Sequence, residues 1–366
     1  MISRIAAFYF FYFAAVAVYI IFMPKILQTI GYSPFEIGVI FAAAPLSRFL
    51  APFLFLRLIP HNRFVFLTAL ASSFILSLLI YQALYHFELM IVLMVLMGFF
   101  WSIQLPYVEV LALEKIKKEQ YGKARLFGSI GFTIVALWIG QIPFTIHFSM
   151  NMYVGTIFFT LIFGAILSQF IDKNESKKEQ VQHFSFSHAE LWIGLFLVQV
   201  GFGGFYNFFT IFEGEHHIPL DTITYLWAFG VIAEIIMFMF QQRFLHINLL
   251  TLMKLSIFLT IIRWLMLDLF PDSLVMLYAS QSLHAFSLAL LHTVSITYIF
   301  SLYSQYKKLA QQFYLGITFG LGMFIGSLLS GSLYGEHLFF YMAIVTAVAY
   351  LFIILHHRKM KQLKTS

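Results

Sequence analysis

Cysteine is absent from the 366 residues, which removes disulfides and thiolate metal sites from the chemistry open to the chain. Charge is scarce too: Asp, Glu, Lys and Arg make up 10% of the sequence against 61% for hydrophobic residues, and 46 positions are Phe. That balance excludes a water-soluble globular protein and predicts a polytopic membrane protein. No A-x-A cleavage site follows the opening MISRIAAFYFFYF, so the first apolar run reads as a retained transmembrane helix and not as a signal peptide. A G-x-x-x-x-G-K-[ST] loop is missing, and with it the case for ATP-driven work. Neither a nucleophile–base pair nor a His-rich cluster with metal-ligand spacing is present, which argues against an intramembrane enzyme. His216-His217 and His356-His357 are isolated pairs in a loop and a tail. The sequence implies no cofactor, and the net charge of +6 reads as a signal of topology, not of nucleic-acid binding.

What is present is long apolar runs. Hydropathy and helix breakers place spans at about 5–28, 35–58, 64–85, 89–113, 121–146, 150–171, 189–212, 221–241, 248–269, 274–302, 311–334 and 338–355. The fold class this predicts is an all-α polytopic membrane protein with twelve transmembrane helices in two pseudo-symmetric six-helix bundles. The one long polar stretch, DKNESKKEQVQHFSFSH, has the composition of a solvated linker. It sets the expected domains: a first bundle over 1–171, a cytoplasmic linker over 172–188, a second bundle over 189–355 and a cytoplasmic tail over 356–366. With the N-terminus inside, seventeen Lys and Arg residues fall in inner loops and tails, and only Lys25 falls in an outer loop. The positive-inside rule then predicts that both termini are cytoplasmic.

The two halves carry a weak repeat. GYSPFEIGVIFAAAPLSRF opens span two and HIPLDTITYLWAFGVIAEI opens span eight, each with a Pro followed two residues later by an acid, Glu36 or Asp221. Arg48 stands fourteen residues after Pro34, and Glu234 fifteen after Pro219, so opposite charges sit at matching depth. Parallel six-helix repeats with a midplane site at their interface are a transporter architecture.

Ionisable residues inside the spans are the candidate functional groups, because a charge in hydrocarbon costs about 2.5 kcal/mol or more even on insertion scales. Glu234 interrupts the apolar run YLWAFGVIAEIIMFMF. In span ten, Gln281, His284, Ser287, His292 and Ser295 recur at helical spacing, a stripe suited to a water-lined path in which His exchanges protons. Arg263 in span nine keeps its charge anywhere and needs a partner. Glu234 is the nearest in sequence, with Asp268 as the alternative. In the first half, Glu109 and Arg125 lie on helices joined by a short loop and are expected to meet. Either they form a structural salt bridge, or the guanidinium clamps a substrate group. Arg48 adds a second positive group there. Tyr206 and Asn207 in FGGFYNFFTIF suit an aromatic ligand, although core packing explains most Phe in so Phe-rich a chain. Gly316, Gly320, Gly322 and Gly326 have the small-residue spacing of close helix packing.

At YGKARLFGSIGF (121–132) the sequence resembles the lactose permease branch of the major facilitator superfamily, and NFFTIF at Asn207, IIRW at Ile261 and QSLHAF at Gln281 agree. It is most similar to the phenylpropionate permease family, with YLW…AE in the eighth helix and two His in the tenth. The resemblance implies that Glu109 and Arg125 hold substrate and that Arg263 and His284 belong to a proton-coupling network. Glu234 matches the acid of the phenylpropionate permease pattern. Ser287 replaces a coupling carboxylate of lactose permease, the acids of its helix seven and the basic group of helix eleven are missing, and FLRLIPHNRF lacks the G-x-x-x-D-[RK] signature. A sugar copied from lactose permease is therefore not implied, and Glu234 is the proton carrier that remains.

These features together predict a monomeric proton symporter in the bacterial inner membrane, with a small molecule, protons and the lipid bilayer as its partners. Substrate sites are expected at Glu109, Arg125, Arg48, Tyr206, Asn207 and Gln281, and proton coupling at Glu234, Arg263, His284 and His292. The favoured substrate is an aromatic carboxylic acid. A nucleoside or sugar is the transport alternative, and a non-transporting receptor is the alternative of another class.

Overall fold

The computed structural model describes residues 1–55, 62–171 and 188–365. The expected linker apart from His188, the Arg57 and Lys173 to Lys178 positions and most of FLRLIPHNRF lie outside them. Among the described residues the chain forms twelve long helices. They are α1 (Ile2–Ile30), α2 (Pro34–Phe55), α3 (Arg63–Gln82), α4 (Phe87–Lys115), α5 (Lys118–Gly140), α6 (Ile146–Ser168), α7 (Ala189–Glu215), α8 (Leu220–Phe240), α9 (Leu249–Leu269), α10 (Leu274–Leu302), α11 (307–332) and α12 (Leu338–Thr365). Eleven of the helices are long and apolar enough to cross a membrane. The other, α2, is described from Pro34 to Phe55.

Local chemistry explains the helix ends. Gly31, in the left-handed region at φ 105°, closes α1 and lets the Tyr32 N–H reach the Leu27 carbonyl. Ser33 and Glu36 form a reciprocal capping box ahead of α2, at 2.8 Å and 3.3 Å. Asn62, Thr145 and Asn248 each accept a backbone N–H three residues on, which starts α3, α6 and α9. Two expected boundaries change. The fifth span ends at Gly140 rather than near 146, because Pro143 follows and Thr145 already caps the next helix. The expected tail is helical, with α12 running on to Thr365.

The chain divides into two compact units: Met1–Val181 with Pro219–Ala228, and Gln182–Ile218 with Phe229–Ser366. In the first, α1 packs on α5 and α6, while α4 packs on α2 and α3. Its core holds Phe8, Tyr9, Tyr12, Phe66 and Tyr107, with the last two rings stacked at 5.4 Å. In the second, α7 is buried on nearly every side, as a helix apolar all round should be. It packs on α11 and α12, and α9 packs on α12 and α10.

Helix association in lipid has no hydrophobic driving force and depends on close contact between small residues. Gly322 and Gly326 supply that contact. A Cβ on Gly326 would lie 2.5 Å from the Val200 carbonyl oxygen, and one on Gly322 would lie 3.1 Å from that of Phe196. Trp264 of α9 ties that helix to α12, donating from Nε1 to Thr346 Oγ1 at 3.2 Å.

Candidate functional site

The polar centre of the second unit is built on α7, α8, α9 and α10. Arg263 is fully buried on α9. Its Nη1 donates to Ser287 Oγ at 3.4 Å and its Nη2 to Gln281 Oε1 at 3.3 Å, both long for hydrogen bonds. The guanidinium carbon stands 4.0 Å from the centroid of the Phe205 ring and 4.7 Å from that of Trp264, with Phe202 at 5.9 Å. Its Nε has no partner among the described residues, and none of their carboxylates forms an ion pair with it.

The expectation of an acidic partner for Arg263 is therefore corrected. Ring faces and neutral side-chain oxygens surround the cation instead. Asp268, the other acid considered for it, is committed elsewhere. Its Oδ1 accepts the Phe340 N–H at 2.9 Å and its Oδ2 meets His337 Nδ1 at 3.2 Å, so it caps the start of α12.

Glu234, on α8, is half-buried and brings Oε2 to 3.7 Å from Nε2 of the buried His284. That distance exceeds a hydrogen bond, and the pair is ionic only when the imidazole is protonated. Gly230, one turn before Glu234, keeps α8 close to α10: a Cβ there would lie 2.9 Å from Gln281 Oε1. Tyr206 stacks on Phe202 at 5.7 Å and lies within electrostatic reach of both Glu234 and Arg263. The predicted residues Glu234, Arg263, His284, Gln281 and Tyr206 thus come together.

Two predicted residues stand apart from this centre. Asn207 faces α11, donating to Ser327 Oγ at 2.7 Å. His292 pairs with Tyr314 of α11 across 3.4 Å and packs its ring on Phe319. For His292 the cause lies in α10, where Ala285–Leu290 is π-helical. A π turn holds an extra residue, so side chains beyond it are rotated away from the stripe that an uninterrupted α-helix would make.

In the first unit, Arg125 and Glu109 approach to 4.0 Å, both about one-third exposed. Arg125 also lies over Phe13 at 4.3 Å and Tyr9 at 5.3 Å. Arg48 is exposed on α2, within electrostatic reach of Tyr12 and Tyr19. Sequence reasoning passes over Glu213, fully buried in the last turn of α7. The expected span stops one residue earlier, and the spacing E-G-E before His216 reads as a loop.

The class of protein follows from its similarity to known chains. Residues 2–343 match the MFS_1 like family. The chain belongs to that family. This MFS_1-like protein is 24% identical over 361 residues to the probable 3-phenylpropionic acid transporter of Escherichia coli (strain K12), covering 93% of this chain and 94% of that one. Over 222 residues it is 24% identical to the uncharacterized transporter YwbF of Bacillus subtilis (strain 168), covering 58% and 55% of the two chains. Solved structures share its fold. The nucleoside transporter NupG superposes with a TM-score of 0.77 at 14% identity over 98% of this chain and 99% of its own. The POT family transporter PepTSo gives 0.75 at 10% identity over 100% and 98%. The MFS_1-like chain is a multi-pass membrane transporter of the major facilitator kind, not an enzyme.

Proposed function

We propose that this transporter is a proton-coupled symporter of a small aromatic carboxylic acid. It works as a monomer by alternating access in the bacterial cytoplasmic membrane, with both termini inside. Arg263 carries the substrate assignment. A buried guanidinium that no carboxylate of the described residues pairs with is an anion receptor waiting for its anion, and its planar fork suits a carboxylate. Phe202, Phe205, Trp264 and Tyr206 around it suit an aryl group. The relative named as a probable 3-phenylpropionic acid transporter supports the same class.

Glu234 carries the proton, bound when the site faces outward and released inward, with His284 beside it as the exchanging group. Substrate on Arg263 brings a negative charge toward that carboxylate, which favours loading of the proton and of the anion together. In the first unit, the Glu109–Arg125 pair offers a second polar contact for substrate.

The test is uptake into proteoliposomes with an imposed pH gradient, preceded by a ligand thermal-shift screen over aromatic acids, nucleosides and sugars. Stabilisation by phenylpropionate-like acids, with gradient-driven accumulation lost in Glu234→Gln, is the expected result. A nucleoside or sugar as the stabilising ligand would replace the substrate assignment, and a Glu234→Gln protein that still accumulates substrate would end the proton role.

A further inference from the structure

Glu213 has no part in that site. It lies in the last turn of α7, seven residues beyond Tyr206, or ~10 Å further along the helix. The residue is fully buried, and neither carboxylate oxygen has a hydrogen-bond partner among the described residues.

Among the described residues, no hydrogen bond or ion pair compensates a negative charge on its side chain. On its own helix, Glu215 accepts the Tyr334 hydroxyl at 2.6 Å, and His216 turns Nδ1 to the Phe212 carbonyl at 2.8 Å. From the loop between α9 and α10, exposed Asp272 adds a like charge within electrostatic reach. Tyr334, which follows α11, brings only a neutral hydroxyl. The helix C-terminus contributes further negative potential. An ionised carboxylate in this place would be buried, unpaired and repelled, whereas the acid form avoids all three.

We propose that Glu213 is a second proton-binding carboxylate of the second unit, loaded in this conformation. It is separate from Glu234. The groups beside it make its release of the proton depend on the charge at Asp272 and on opening of this end of α7.

Infrared titration of the purified full-length protein tests the proposal without assuming coupled transport. A protonated-carboxyl C=O band should persist at neutral pH in Glu234→Gln, which removes any contribution from Glu234, and vanish when Glu213→Gln is added. Gln keeps the shape of the neutral acid, so Glu213→Gln should unfold at the wild-type temperature in acid and lose the fall in stability seen as pH rises. Should that variant fail to fold, Asp272→Asn serves: removing its charge should move the disappearance of the band to lower pH, because a like charge that holds the proton on Glu213 is gone. A neutral-pH band in Glu234→Gln that adding Glu213→Gln leaves unchanged, or no such band in Glu234→Gln, would overturn the assignment. So would a titration midpoint that Asp272→Asn leaves in place.

Discussion

At the scale of the residue, Arg263 separates what the sequence can tell from what it cannot. IIRW made a buried cation legible, and its cost made some form of compensation certain. The nature of that compensation depends on which helix faces α9 hold rings. No local pattern in a chain with 46 Phe could distinguish those rings from packing. The fork geometry yields a specific outcome. Arg263→Lys keeps the charge but loses planar bidentate contact, and charge-assisted hydrogen bonds are worth about 1.5–3 kcal/mol. Affinity for an aromatic carboxylate should therefore fall ~10-fold or more, read by thermal-shift titration. The primary amide of the same acid should bind wild type and Arg263→Lys about equally. A carboxylate bound as tightly by Arg263→Lys as by wild type would remove Arg263 from the substrate site.

Elements show a different division. Twelve apolar runs, their order and most helix ends were legible, because span length and capping residues are local properties. Register within α10 was not. The π-helical stretch Ala285–Leu290 leaves no mark in composition, and it sends His292 to Tyr314 while Gln281 and Ser287 meet Arg263. Close packing of α11 was legible as glycine spacing, although its partner α7 was not, and the contact predicts a measurable cost. Gly326→Val would force its side chain against the Val200 backbone, which cannot yield as a flexible side chain can. A loss of about 1–3 kcal/mol is expected from such overpacking, seen as a lower unfolding temperature in detergent. The same substitution at Gly155, where a Cβ meets nothing within 4 Å, is the control. Asp268→Ala would remove the acceptor of the Phe340 N–H and weaken the start of α12 by about 0.5–2 kcal/mol, the usual range for a lost cap. Hydrogen exchange confined to the first turns of α12 would report it.

The whole molecule is organised by its charge distribution. Apolar spans are indifferent to orientation, so the proposed orientation rests on the asymmetry of Lys and Arg, which is visible in the sequence. The same chain has no cysteine. Single cysteines can therefore be introduced and labelled against no background. Lys25→Cys in whole cells should react with a membrane-impermeant maleimide added outside. Arg243→Cys, after α8, and Arg358→Cys, near the end of α12, should react only once the membrane is permeabilised. Labelling of Arg243→Cys in intact cells would invert the topology. It would also put the Glu213 end of α7, outer in the proposed orientation, at the inner face, reversing the side from which that carboxylate would exchange its proton.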